Sequence, residues 1–209
     1  MRILITSGAT REPIDTVRFL SNVSTGRTGA LIADALTQHG HTVTLLHGVT
    51  AVRPTSAVVS ETFDSTADLQ TRLRRLLGTG EFDAVIHAAA VSDYRPDMTH
   101  EGKMSSYAAE LTLRLVPTPK LLPELKSNSP RPLKVVGFKL TAGADADARQ
   151  AAVAKLFASG TVDAVIHNDM DDLATGDSRL FSAWLSDRST PETLLGISLL
   201  VTWLNGFVS

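Results

Sequence analysis

Six short apolar runs, separated by stretches of helical periodicity, constrain the fold of this chain more than any other feature. The runs are Arg2–Thr6, Thr42–His47, Val58–Thr62, Ala84–Ala88, Lys134–Phe138 and Ala164–His167. Several are apolar at nearly every position, as strands are when helices cover both faces of a sheet. Between them, Arg27–His39 carries Ala30, Leu31, Ala33, Ala35 and Leu36 ahead of Gly40, and Thr66–Leu77 repeats Leu69, Leu73, Leu76 and Leu77 at helical spacing. Further helices are predicted over Lys120–Lys126, Ala144–Ala158 and Pro191–Leu204, and a final edge strand over Leu180–Leu185. This alternation predicts a Rossmann-like, doubly wound α/β fold, a mainly parallel sheet with helices on both faces.

The 209 residues are read as one domain, 1–209, with 94–118 as an inserted flap. Asp93–Ser106 is polar and broken by Pro96 and Gly102, and then Leu111, Leu113 and Leu115 alternate with Thr112 and Arg114. That period belongs to a half-exposed strand, so Lys103–Val116 is predicted to form a hairpin or β flap projecting from the body, ended by Pro117 and Pro119. A net charge of -2 supplies no positive field for a nucleic-acid backbone. The chain has no cysteine, which excludes disulfides, thiolate metal sites and a cysteine nucleophile. The first apolar run is too short for a signal peptide and no run reaches membrane-spanning length, so a cytoplasmic protein with no membrane partner is expected.

Polar residues gather where such a sheet binds ligands. Thr6-Ser-Gly-Ala-Thr-Arg-Glu-Pro-Ile-Asp15 follows the first run and leads through Arg18–Gly29 into a helix, a strand-loop-helix unit suited to an anion. The sequence Asp83-Ala-Val-Ile-His87 recurs as Asp163-Ala-Val-Ile-His167. One copy delivers Ala88-Ala-Ala-Val-Ser-Asp-Tyr94 and the other Asn168-Asp169. With the end of Val135–Leu140, four strand ends turn small or polar at the edge where doubly wound sheets hold ligands.

A nicotinamide-dependent oxidoreductase needs closely spaced glycines in the first turn, and only Gly8 stands there. The second strand ends at Leu46-His47-Gly48 with no acidic residue, and neither Tyr94 nor Tyr107 is followed one turn later by lysine. No glycine-lysine-serine or glycine-lysine-threonine P-loop occurs. The six histidines lack metal-ligand spacing, and His87 and His167 are read as structural residues at strand ends.

Seven ordered motifs then carry a resemblance: Thr6–Asp15, Ser21-Asn-Val-Ser-Thr-Gly26, Ala88–Tyr94, Lys103-Met-Ser-Ser106, Leu115-Val-Pro-Thr-Pro-Lys120, Gly137-Phe-Lys-Leu140 and Asn168-Asp169. Their order and spacing resemble the phosphopantothenate-cysteine ligase family of coenzyme A assembly over nearly the whole chain, in its free-standing bacterial form. The resemblance implies ligation of 4'-phosphopantothenate to the amine of cysteine through an acyl-nucleotidylate. The co-substrate would be CTP or ATP with Mg2+, the products pyrophosphate and the nucleoside monophosphate, and the enzyme a homodimer whose flaps close over the partner's site. It assigns catalysis to Lys103 and Asn22, and nucleotide binding to Gly8, Ala9, Thr10, Ala88, Ala89, Ala90, Asp93, Phe138, Lys139, Lys155 and Asn168. Substrate binding falls to Asn22, Ser24, Thr25 and Gly26, and no metal ligands are assigned. His167 departs from the family's alanine, and Lys103 stands without the further flap lysines of fused relatives. A non-catalytic nucleotide-binding relative of the same fold is the alternative, and an NAD(P)-dependent oxidoreductase a more distant one.

Overall fold

The structure is a computed structural model describing residues 1–105, 107, 110–172 and 179–209. In chain order its elements are β1 (Arg2–Ser7), β2 (Arg11–Pro13), β3 (Phe19–Ser21), α1 (Arg27–Gln38), β4 (Thr42–Gly48), β5 (Val59–Phe63), α2 (Thr66–Leu77), β6 (Ala84–His87), β7 (Tyr94–Pro96) and β8 (Leu115–Pro117). They continue with β9 (Lys134–Thr141), α3 (Ala146–Phe157), β10 (Ala164–Asp169), β11 (Leu180–Leu185), β12 (Glu192–Leu195) and α4 (Gly196–Val208). Eight strands form one sheet in the order β12-β11-β10-β9-β6-β1-β4-β5. The strands from β10 to β5 are parallel, and β11 and β12 close one side antiparallel. From β1 the chain steps to β4 and β5 on one side and then crosses to β6 on the other. The reversal opens a crevice beyond the carboxyl ends of β1 and β6.

The apolar runs bury both faces. Ile3 and Ile5 of β1 join Ile32 and Leu36 of α1 and Leu200 and Leu204 of α4, while Leu4 points the other way, into a cluster with Leu69, Leu73 and Leu77 of α2 and Val153 of α3. Truncating one of these leucines to alanine costs about 2–5 kcal/mol. Ser65 starts α2 by accepting the N–H of Asp68 (3.2 Å), and Asp145 starts α3 by accepting that of Ala148 (2.8 Å). Such caps contribute about 1 kcal/mol each.

Four expectations need correction. Glu192–Leu195 is a strand rather than the start of the last helix. It pairs with β11 and buries Leu194, and Gly196, at a φ of 79°, turns the chain into α4. Leu180–Leu185 is therefore not the edge strand. Among the described residues of Lys103–Val116, only Leu115 and Val116 are strand, part of Leu115–Pro117, which pairs with Tyr94–Pro96. Leu111 and Leu115 remain 50% and 43% exposed, so the alternating pattern buries little within this chain. Ser106, part of the Lys103 motif, lies outside the described residues. The predicted short helix at Lys120–Lys126 contracts to a single tight turn at Leu122–Glu124.

Candidate active site

The opening loop and the loop after β6 lie side by side at the reversal point. The N–H of Ala90 donates to Gly8 O (2.8 Å) and the N–H of Thr10 to Ala90 O (3.2 Å), so that Ala9 and Ala90 form a parallel bridge. Gly8 has a φ of +83°, and a Cβ there would come within 2.6 Å of the Ala51 side chain. The predicted residues Gly8, Ala9, Thr10, Ala88, Ala89 and Ala90 thus converge on one floor of small side chains. Thr10 is committed inside it: buried, its hydroxyl accepts from Ser92 N (2.9 Å) and donates to Ser92 Oγ (3.2 Å). Below, Thr6 Oγ1 accepts from Ala89 N (3.2 Å) and is hydrogen-bonded to His87 Nδ1 (2.8 Å). His87 is held neutral, its pKa pushed down to about 4 by burial. Buried Glu12 accepts the N–H (2.9 Å) and hydroxyl (2.6 Å) of Thr66, binding the loop to the start of α2.

The N-terminus of α1 forms a second side. Ser7 Oγ donates to Gly26 O (2.7 Å), and a Cβ on Gly29 would meet Ser7 Oγ at 2.4 Å, so glycine lets the helix lie on the end of β1. No side chain caps α1 and no acidic residue occupies its first turn. Partly buried Ser24 and exposed Thr25 lead into it, Thr25 fixed by Val52 N donating to its carbonyl (2.9 Å). Asn22 is exposed and hooks its Nδ2 onto Val91 O (3.1 Å), placing it beside the floor. Asp93, also exposed, pairs with Lys120 from the Leu115–Lys120 motif.

Lys103 is exposed, and the chain around it is pinned. The Asp15 carboxylate, fully enclosed, accepts the N–H groups of Val17 (2.8 Å), Arg18 (2.8 Å) and Met104 (3.1 Å) and faces the Arg18 guanidinium at 3.3 Å. The N–H of Val17 is the largest of the influences that hold its pKa below the usual carboxylate range. His100 N donates to Ile14 O (3.0 Å) and Thr16 N to Gly102 O (3.4 Å). Lys103 is thereby carried on the same loop as the floor.

The β9–β10 side is built differently. Phe138 packs on the α1–α4 core cluster and Lys139 stands opposite His167 in register, both partly buried. Asn168 is 6% exposed, and its Nδ2 has no acceptor. Asp169 accepts from the Thr141 hydroxyl and from the N–H groups of Gly143 (2.9 Å), Ala144 (3.1 Å) and Asp171 (3.0 Å). The Thr141 hydroxyl leads these donors in holding its carboxyl well below the usual range. His167 Nε2 meets the same hydroxyl (2.8 Å), and its pKa is lowered by burial and then by Arg149. Lys155 is not brought to the site. It lies in the last turn of α3, which descends from the carboxyl end of β9 toward the amino end of β10, roughly 13 Å along the helix from its first turn. Among the described residues, no group of three or more His, Asp or Glu could hold a metal ion, and no helix is long and apolar enough to cross a membrane.

Sequence reasoning gave no role to Asp15, Thr141 or Arg179, although Asp15 closes the first motif. Arg179 immediately precedes a predicted strand and carries no local signal.

Comparison with known proteins matches residues 1–186 to the DNA/pantothenate metabolism flavoprotein C-terminal domain family. The coenzyme A biosynthesis bifunctional protein CoaBC of Mycolicibacterium smegmatis is 34% identical over 93% of this chain and 48% of its own length. The chain spans less than half the length of the curated relatives it matches. A crystal structure of the DNA/pantothenate metabolism flavoprotein from Streptococcus pneumoniae superposes with a TM-score of 0.88 at 25% identity, covering 100% of this chain and 98% of that one. A mutant of Cab2 in complex with phosphopantothenate-cysteine, at 18% identity, shares the fold with a TM-score of 0.80 over 99% of this chain and 87% of that one.

Proposed function

The chain belongs to the DNA/pantothenate metabolism flavoprotein C-terminal domain family, and from that premise we propose that it joins 4'-phosphopantothenate to cysteine. The observation that supports this reading is the meeting of Gly8–Thr10, Ala88–Ala90 and Asn22 at the sheet reversal, with the residue after Lys103 tied to the opening loop through Asp15. A phosphopantothenate carboxylate oxygen attacks the α-phosphorus of CTP or ATP, the bond to the β-phosphate oxygen breaks, and pyrophosphate leaves with that electron pair. The cysteine amine then attacks the acyl carbon, loses a proton, and displaces the nucleoside monophosphate.

No step needs a protein nucleophile, so the protein contributes positioning and charge stabilisation. The Lys103 ammonium neutralises charge as pyrophosphate departs, and Asn22 donates to the acyl oxygen when the amine attacks. Magnesium would travel with the triphosphate and take its ligands largely from phosphate and water. Exposed Met98, Tyr94 and Leu115 on the flap support a homodimer, and the proposed enzyme is a cytoplasmic one.

The test is incubation with phosphopantothenate, cysteine, magnesium and either CTP or ATP, following pyrophosphate. Release that requires phosphopantothenate, with an acyl-nucleotide trapped when cysteine is withheld, is the expected result. Tight nucleotide binding without pyrophosphate would replace the ligase with a non-catalytic binder.

A further inference from the structure

Arg179 stands directly before β11. Because β11 runs antiparallel to β10, its start lies at the carboxyl edge of the parallel strands. The guanidinium lies over the Phe181 ring at 5.2 Å and donates to Thr28 Oγ1 (3.0 Å), in the first turn of α1. This placement is electrostatically incomplete. Nε is enclosed and has no acceptor. Arg179 is partly buried, and the partner it does have, the Thr28 hydroxyl, carries no charge. Burial pushes its pKa down. A cation is favoured at the C-terminal end of a helix, yet this one sits at the positive end of α1, whose first turn has no acidic residue.

A second donor points the same way. Asn168 alternates along β10 with Ile166, which packs in the α1–α4 cluster, so both lie on the face that α1 covers. Its Nδ2 is buried without an acceptor on the strand next to β11. Two unmet buried donors and the open N–H groups of a helix start therefore share one face of one sheet edge.

We infer that Arg179 and the first turn of α1 form a phosphate subsite, with Asn168 donating to the same ligand. The fork of the guanidinium and the helix N–H groups suit the several oxygens of a phosphate. The inference rests on the proposed ligase reading for the source of that phosphate, since the nucleoside triphosphate and phosphopantothenate both carry one.

The experiment is calorimetric titration of the chain and its Arg179→Gln variant with CTP, ATP, pyrophosphate, phosphopantothenate and pantothenate. Arg179→Gln should weaken one class of phosphate ligand by roughly tenfold or more. A loss for nucleotides and pyrophosphate alone assigns the triphosphate. A loss for phosphopantothenate but not pantothenate assigns the substrate phosphate. Equal affinities of both proteins for every phosphate ligand overturn the subsite. If Arg179→Gln does not fold by circular dichroism, Arg179→Lys and Thr28→Val replace it, and unchanged affinities in both overturn it equally. Binding is read without turnover, so a chain that loses phosphate with Arg179 but never releases pyrophosphate keeps the subsite and loses the ligase reading.

Discussion

The strands β6 and β10 begin from the same five residues, Asp-Ala-Val-Ile-His, and their first halves are built alike. Asp83 N donates to Arg2 O (2.9 Å) while its carboxylate accepts Arg2 N (2.8 Å). Asp163 clasps Val135 in the same two ways, at 2.9 and 2.7 Å. Each strand then ends in a buried histidine bonded at 2.8 Å to a threonine of the neighbouring strand, Thr6 for His87 and Thr141 for His167. Beyond the histidines the two diverge. β6 opens into alanines whose backbone is tied to the opening loop, leaving room above it. β10 continues into an asparagine with an unmet donor and an aspartate that gathers the loop before α3. The shared residues fix a strand in the sheet; the residues after it decide what the sheet edge offers a ligand. On the proposed reading the β6 side and the opening loop assemble the reacting groups, and the β10 side adds Asn168 and Arg179 as donors to a phosphate-bearing ligand.

Mutations should divide along that line. Lys103→Gln, on the flap that serves the β6 side, is expected to slow acyl-nucleotidylate formation about 1000-fold in single-turnover pyrophosphate assays. A change in nucleotide affinity alone would move Lys103 to the recognition side.

The two histidines give the next largest effect. Above the ordinary histidine pKa near 6.5, folded and unfolded chains both hold His87 neutral. As the pH falls toward about 4, only the unfolded chain takes up the proton, so stability is lost across that window. The loss amounts to roughly 3 kcal/mol. Urea unfolding of His87→Gln between these values should show a flatter acid limb than the parent. His167→Ala should flatten it in the same direction, because its pKa is lowered too.

Asn22→Asp is expected to slow the cysteine step about 100-fold and leave the first step nearly intact, so that the acyl-nucleotide accumulates and can be quenched and counted. Equal slowing of both steps would mean that Asn22 holds the floor together through Val91 rather than serving the acyl group. Asn168→Ala should weaken nucleotide binding about tenfold while the melting temperature shifts by less than about 2 °C, since removing a buried donor without an acceptor costs little. A large drop in melting temperature would show that Asn168 is structural.

Most of the parallel strands were legible because they are apolar on both faces, and α2 because Leu69, Leu73 and Leu77 recur at helical spacing. β2, β3 and β7 were not legible: each is three residues long and mostly polar or exposed, held by a local partner rather than by burial. Glu192–Leu195 misled because Leu194 and Leu195 also fit the helical stripe that follows, and pairing with β11 is a long-range event. Within the site, Gly8–Thr10 and Ala88–Ala90 were legible as strand ends. Lys155 was not, because the direction in which α3 descends decides which end of the helix meets the edge. Arg179 escaped for a related reason: its meaning depends on Thr28, 151 positions away.

The carboxylate of Asp15 has a mechanical consequence. It organises the turn at Val17 and Arg18 and grips Met104 across 89 positions of chain, so the loop and the root of the flap form one lever. Lys103 rides on one arm, and the loop that leads to Asn22 is the other. If the proposed two-step reaction holds, a shift that withdraws Lys103 would tug on the loop that carries Asn22, and the two steps would share a fulcrum at Asp15.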